Sequence, residues 1–120
     1  MSEQIDPYVK IFVDKIDKTT AKELLKNEFN GEFDVNSMHL DNLIVEARNN
    51  IEAKKGPEED FLFWPIIVEL ESESEPNALI SETSRVLEML WNSGFPAIAA
   101  CDFENLLPWN GGIDRDFSQF

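Results

Sequence analysis

Residues 61–71 read FLFWPIIVELE and form the most apolar run in the chain, so the other elements must pack around them. Large apolar side chains occupy both alternating faces of this run: Trp64, Ile66, Val68 and Leu70 on one, and Phe61, Phe63 and Ile67 on the other. Such a pattern is typical of a strand that is covered on both faces, because each exposed bulky side chain forfeits burial energy. Pro65 has no N–H to donate to a neighbouring strand, so the chain should kink at 64–65 and the regular strand should run from 66 to 71.

The composition predicts one folded domain with an uneven charge. The chain has 120 residues, of which 42% are hydrophobic, and we expect a single domain over 1–112 followed by a tail at 113–120. The formal net charge is −14. Residues 1–55 hold eleven acids and eight bases, for a charge of −3, whereas residues 56–114 hold twelve acids and one base, Arg85, for −11. This imbalance disfavours nucleic acids and anionic membranes as partners, and it favours a basic protein, a polyamine or a cation.

Cysteine usage and hydropathy predict a cytoplasmic protein. Cys101 is the only cysteine, which excludes an internal disulfide and fits a reducing compartment. No apolar run approaches the roughly 20 residues of a membrane span. The N-terminal sequence MSEQIDPYV is acidic and polar, unlike a secretory signal.

The chain lacks the common catalytic and cofactor motifs. It contains no glycine-rich phosphate loop, no zinc-spaced set of cysteines and histidines, no GxSxG and no HExxH. We interpret His39, the only histidine, as a turn residue and Cys101 as a small buried hydrophobe, although the two together would be the minimum for a cysteine nucleophile. We therefore predict a protein that is not an enzyme and that uses no cofactor or metal.

The periodicity of the apolar residues predicts an α+β fold in the order β-α-β-β-β-α-β. The predicted elements are a strand at 8–14, a helix from 20 to about 29, a strand at 32–37, a hairpin loop at 36–41, a strand from 40 or 42 to 49, the central strand, a helix at 77–92 and a strand at 96–101. Thr20 and Glu23 have the spacing of a capping box for the first helix. A mainly antiparallel five-stranded sheet with two helices on one face would be a ferredoxin-like variant with an added strand, and right-handed crossovers would place the first and last strands inside it.

The second helix carries a broad apolar stripe that should face the sheet. Its members recur at spacings of three and four residues: Leu79, Ile80, Thr83, Val86, Leu87, Leu90 and Trp91. Gly94 follows at the position where a glycine commonly ends a helix. Leu87 and Val68 lie at the centres of their apolar faces, so we expect them to meet across the helix–sheet interface.

Four glutamates continue the alternation of the central strand and form a ladder of like charge: Glu69, Glu71, Glu73 and Glu75. Like charges on one face of a strand repel each other, at a cost of roughly a few tenths of a kcal/mol per close pair. Two interpretations are open. The ladder is either a solvated sheet edge that charge protects from aggregation, or an electrostatic surface for a basic partner.

The segment after the last strand offers a second group of candidate residues. Asp102 and Glu104 project from the end of that strand, next to an apolar, turn-rich stretch that includes Trp109. Acids beside an aromatic residue suit an interface with a cationic protein, but the same stretch could instead cover the core as a C-terminal flap. If Asp14, at the end of the first strand, lies close to Asp102 and Glu104, the three carboxylates could bind Mg²⁺ or Ca²⁺ and support a small metal-assisted enzyme.

The chain as a whole resembles the immunity proteins of bacterial toxin–immunity systems, which are small, strongly acidic, single-domain cytoplasmic proteins. Those proteins bind and block a cognate toxin domain, often a basic nuclease. The resemblance covers size, charge and α+β layout across the chain, and the stretch CDFENLLP at 101–108 looks like a family signature. It includes no diagnostic motif, so no functional residue carries over from it. It implies a role by binding, in which acids mimic or cap a phosphate-binding surface.

Charge, motifs and layout together predict an acidic binding protein that neutralises a basic protein partner. The residues predicted to contact that partner are Glu69, Glu71, Glu73, Glu75, Asp102, Glu104 and Trp109. The alternatives are the metal-assisted enzyme and an oligomeric adaptor.

Overall fold

A five-stranded antiparallel sheet with two α-helices on one of its faces makes up the part of the chain that the computed structural model describes, residues 8–72 and 76–120. The elements in chain order are β1 (Tyr8–Val13), α1 (Lys18–Phe29), β2 (Ser37–His39), β3 (Leu43–Asn49), β4 (Ile66–Ser72), α2 (Pro76–Asn92) and β5 (Ala97–Ala100). The strands are arranged β2-β3-β4-β1-β5, and every neighbouring pair is antiparallel. The predicted α+β class, the five strands and the order of the elements are confirmed.

Strand β4 lies at the centre of the sheet, between β3 and β1, and its apolar residues are buried on both faces. Ile66, Val68 and Leu70 point to the helices, while Ile67 on the opposite face is only 5% exposed. Leu87 of α2 lies in the same buried cluster as Val68, which agrees with the predicted helix–sheet packing. A strand with one fully apolar face and a buried isoleucine on the other is stable between two neighbouring strands, so β1 pairs with β4 although 52 residues separate them.

The chain enters β4 through a tight turn rather than along a longer strand. Phe61–Phe63 form a 3₁₀ turn that the Asp60 side chain caps, and Pro65 separates this turn from the strand. The predicted kink at 64–65 is therefore confirmed. The predicted face of Trp64 is wrong, because the turn shifts the alternation and Trp64 packs beside Phe12 on the side away from the helices.

The second strand is shorter and lies later in the chain than predicted. Asp34 and Ser37 exchange backbone hydrogen bonds of 2.8 and 3.1 Å around a two-residue turn, so the chain reverses where a strand at 32–37 was expected. Val35 in this turn has a φ of 56° and is 79% exposed, a conformation that β-branched residues rarely adopt. β2 then forms inside the predicted loop at 36–41, and the connection to β3 closes over residues 40–42.

Helix α1 begins earlier than the capping-box spacing predicts. The Asp17 side chain accepts a hydrogen bond of 2.7 Å from the Thr20 N–H, so Asp17 is the N-cap and Thr20 lies inside the first turn. A carboxylate three residues before an open N–H makes a stronger cap than a threonine hydroxyl. The predicted C-terminal end is confirmed at Phe29, where Asn30 closes the helix with a φ of 53°.

The last strand lies at an edge of the sheet, which corrects the prediction that both terminal strands are internal. The connection through α2 carries β5 past β1, and within the described residues no later strand pairs with it. The 3₁₀ segment Pro108–Gly112 packs against β5 instead, with Gly112 at a φ of 104°. A Cβ atom on Gly112 would overlap the Ala97 carbonyl oxygen, so only glycine permits this close cover of the edge.

Replacing Leu87 with Ala should lower the free energy of unfolding by about 2–5 kcal/mol, because its side chain is fully buried between α2 and the sheet. Leu106→Ala is the matched control, since the Leu106 side chain is 57% exposed. A change within about 0.5 kcal/mol is expected there. Urea denaturation of both variants makes the comparison, and equal losses would show that α2 does not pack through its apolar stripe.

Replacing Gly112 with Ala should cost about 2–4 kcal/mol, since the strain of a positive φ adds to the overlap with a backbone oxygen that cannot move aside. Gly94→Ala is the control: Gly94 has a φ of 92°, but no atom lies within 4 Å of the added Cβ. Its cost should therefore be only about 1–2 kcal/mol. Thermal and urea denaturation measure both, and a Gly112→Ala loss no larger than that of Gly94→Ala would mean that this segment does not press on β5.

Candidate binding surface

The face of the sheet opposite the helices carries the charged residues of the central strands. The register places Glu46, Glu69 and Lys10 side by side on β3, β4 and β1. Arg48 donates hydrogen bonds of 3.1 Å to Glu46 Oε1 and 2.8 Å to Glu69 Oε1, and Lys10 Nζ lies 4.0 Å from the same Glu69 oxygen. Two cations therefore balance two carboxylates in the middle of this open face.

This pairing divides the predicted glutamate ladder. Glu69 is partly buried and ion-paired, whereas Glu71 is exposed and forms no ion pair with a described residue. Glu73 and Glu75 lie outside the described residues. Because β4 is an internal strand, the interpretation of the ladder as a protected sheet edge is wrong, and its described glutamates lie on an open sheet face.

Exposed acids meet at the end of the sheet where β4 and β5 finish and β1 begins. Glu71 is the register partner of Tyr8, whose side chain is 46% exposed. Ala100, the last residue of β5, lies opposite Lys10, and Asp102 follows in the turn just beyond it, at this same end of the sheet. Because β4 and β5 are the two neighbours of β1, Glu71 and Asp102 belong to the chain segments on either side of β1.

A third exposed acid, Asp41, lies at the same end of the sheet. It sits in the turn 40–42 between β2 and β3, just beyond the pair formed by Leu43 and Ser72. Sequence reasoning did not select Asp41 or Tyr8, because their proximity to Glu71 depends on the strand order. We refer to Tyr8, Asp41, Glu71 and Asp102 together as the acidic end.

Glu104 has a structural role that the sequence did not indicate. Its Oε2 accepts a hydrogen bond of 3.0 Å from the Cys101 N–H, at the point where β5 ends and the chain turns. The carboxylate thereby satisfies a backbone donor just past the end of the strand. Asp102 remains exposed beside it, so the two acids that the sequence grouped together have different surroundings.

The structure separates the three carboxylates of the proposed metal site. β1 and β5 are antiparallel with Val13 opposite Ala97, so Asp14 lies at the start of β5 and Asp102 and Glu104 follow its end. The proximity of β1 and β5 was predicted correctly, but the direction of β5 places these acids at opposite ends of the sheet. Within residues 8–72 and 76–120, no group of three or more metal-ligating side chains is arranged to hold an ion.

The apolar segment after β5 is partly a flap and partly exposed. Phe103 and Leu107 are buried in the main core, at 1% and 5% exposure, as the flap interpretation predicts. Trp109 is instead 55% exposed and has a φ of 56°, at the start of a left-handed turn that ends at Gly112. Trp109 is therefore exposed enough to contact a partner. The packing of Gly112 on β5 holds the backbone of this turn in place.

Residues 113–120 fold back onto the core. The Phe117 ring lies 6.1 Å from Trp64 and 6.5 Å from Trp91, measured between centroids. The Arg115 guanidinium lies 4.9 Å from the Trp91 ring and 5.8 Å from the Trp109 ring, within the range of cation–π contacts. These contacts attach the C-terminal segment to both α2 and the turn that carries Trp109.

His39 and Cys101 cannot act as a pair. His39 lies in β2 and Cys101 follows β5, the two opposite edges of the sheet, so about four strand spacings, roughly 19 Å, separate them. His39 is exposed in a strand rather than in the predicted turn. Burial, together with smaller contributions from the nearby carboxylates of Glu104 and Asp102, raises the pKa of the Cys101 thiol to about 11. The thiol is therefore protonated and unreactive near neutral pH, in agreement with the sequence interpretation.

Comparison with known proteins gives no relative: no family model, no curated protein and no solved structure matches this chain. Among the described residues, none of the helices has the length and apolarity to cross a membrane.

Because burial raises the pKa of the Cys101 thiol from 9.0 to about 11, the folded protein retains this proton at pH values where the unfolded chain loses it. The stability due to this group is present below about pH 9 and is lost as the pH rises toward 11. Between those values the unfolding free energy of the wild type should fall faster than that of Cys101→Ala. Urea denaturation of both proteins across this range tests the shift, and parallel curves would contradict it.

Proposed function

We propose that this chain is a non-enzymatic binding protein that neutralises a basic protein partner. Its role would be that of an immunity or inhibitor protein directed against a toxin domain such as a nuclease. The observation that carries the proposal is the acidic end, where exposed carboxylates from three separate chain segments lie at the same end of the sheet as an exposed tyrosine. We place the protein in the cytoplasm, where its unpaired Cys101 would stay reduced.

The basic side chains of Lys10, Arg48 and Arg85 support this proposal, because they are paired with acids outside the acidic end. Arg85, the one base in residues 56–114, donates a hydrogen bond of 2.6 Å to Glu28 Oε2, and its guanidinium lies 4.6 Å from the Phe29 ring. It therefore links α2 to the end of α1 and does not offset the acids of the open face. Lys10 and Arg48, one and two rows below Glu71, are engaged with Glu69. The acidic end keeps its negative potential as a result.

The chemistry of the acidic end suits a protein partner better than a free cation. Tyr8 offers an aromatic ring with a hydroxyl group directly opposite Glu71, and tyrosines are enriched at interface hot spots. Carboxylates spaced by whole strands match the spread of lysine and arginine side chains on a protein surface. Among the described residues, no three metal-ligating side chains are arranged to hold an ion, so these carboxylates do not form a metal site.

The two alternatives have less support. A metal-assisted enzyme using Asp14, Asp102 and Glu104 would need these residues together, and the antiparallel β1–β5 pair holds Asp14 at the far end. An oligomeric adaptor could use the same surface. The charge of the partner distinguishes the adaptor from the inhibitor, because only a basic partner is attracted by the net charge of −14.

The proposal predicts that association with the partner depends on Glu71. The partner would first be captured from cells and purified, and its association rate with Glu71→Lys would then be measured by stopped flow. The rate should be about tenfold or more below that of the wild type, and the wild-type rate should itself fall steeply as salt shortens the Debye length. The folded state should tolerate the change, because Glu71 is exposed.

Glu23→Lys provides the matched control. Glu23 is an exposed acid on α1, on the other side of the sheet, and its replacement alters the net charge by the same amount. Its association rate should stay within about twofold of the wild type, since long-range charge effects are screened. Equal slowing by the two variants, an acidic partner, or a rate that does not respond to salt would contradict the proposal.

A further inference from the structure

The open face of the sheet also contains an apolar groove that the acidic end does not use. Its volume is about 670 Å³, within the range of about 300–1,000 Å³ that is typical of ligand sites. Phe12 and Ile67, the nearly buried residues of β1 and β4, form its floor. Ile51 and Leu62 line its sides, and their side chains are 81% and 47% exposed although both are large and aliphatic.

Two cations line the same groove. Arg48 is held by Glu46 through Nε and by Glu69 through Nη2, which leaves Nη1 without a hydrogen bond to a described residue. Lys10 has a side chain that is 42% exposed and only a 4.0 Å approach to Glu69. One acid, Glu52, is among the described residues that line the groove, and it is paired with Lys55 at 3.8 Å.

We propose that this groove binds an aliphatic carboxylate, independently of the basic partner. The chain of the ligand would lie over Phe12 and Ile67 between Ile51 and Leu62. Its carboxylate would accept hydrogen bonds from Lys10 and Arg48, which form charge-assisted bonds to such groups. The assignment rests on complementarity between groove and ligand. The groove is apolar and its lining includes two cations, Lys10 and Arg48, although the molecule as a whole has a formal net charge of −14.

The surroundings of the groove explain why an apolar anion fits it better than other ligands. An ammonium head group would meet Lys10 and the Arg48 guanidinium, which repel it. A small hydrophilic anion would gain little, because Glu46 and Glu69 already offset much of the positive charge. Burial of the hydrocarbon chain must therefore supply most of the affinity, and the cations select the head group.

Isothermal titration calorimetry with decanoate tests the proposal on the 120-residue chain. We expect saturable one-to-one binding, together with a rise in Tm that follows from selective binding to the folded state. Octanoate should bind more weakly, by up to about fourfold for each methylene that the groove no longer buries. Decyltrimethylammonium, with the same chain length and the opposite charge, should bind at least about tenfold more weakly than decanoate.

Ile51→Asp and Val35→Asp form the matched pair of variants. Ile51 lines the groove and Val35 lies in the 34–37 turn, and the two side chains are similarly exposed at 81% and 79%, so neither change should unfold the protein. Ile51→Asp should weaken decanoate binding at least about fivefold, while Val35→Asp should leave it unchanged. Lys10→Gln should reduce the preference for decanoate over decanol. The proposal is overturned by an absence of saturable binding, by tighter binding of the ammonium compound, or by equal effects of the two Asp variants.

Discussion

The burial of the apolar residues of β4 on both faces is the constraint on which the rest of this structure depends. Its residues toward the helices are fully buried, and Ile67 on the other side packs with Phe12, Trp64 and Ile98. The chain meets this requirement with both helices on one face and with a small aromatic cluster on the other. That cluster covers the end of the open face near Pro65, so the charged middle and the acidic end of the sheet remain exposed. The acidic end is therefore exposed because the aromatic cluster covers only the opposite end of this face.

The charges of the open face are sorted by their position along the strands. In the middle, Arg48 and Lys10 compensate Glu46 and Glu69, which lowers the repulsion between neighbouring glutamates. At the end of the sheet, Glu71 has no such compensation among the described residues. The first arrangement contributes to a stable sheet and the second creates a potential that a basic surface would recognise. A net charge alone does not distinguish these roles, whereas the strand register does.

Local patterns predicted most of the fold, and long-range geometry accounts for most of what they missed. The apolar run at 61–71 and the stripe of α2 identified the central strand and its helix, because burial periodicity is a local property. The left-handed turn at Val35 was missed because β-branched residues usually indicate a strand. The Asp17 N-cap was missed because the spacing of Thr20 and Glu23 matches a capping box, which placed the N-cap of the helix three residues too late. The direction of β5 separated Asp14 from Asp102, and strand order brought Asp41 and Tyr8 to Glu71. Neither relation is encoded in the spacing of residues along the chain.

Hydrogen–deuterium exchange of the protein alone and in complex with its captured partner is the sharpest test of whether the acidic end binds that partner. If it does, exchange should be slower in the complex for the peptides that carry the start of β1, the turn at 40–42 and the end of β4. Exchange in α1, which lies on the opposite side of the sheet, should be unchanged. Protection confined to α1, with no change at the acidic end, would contradict the assignment of this surface to partner binding.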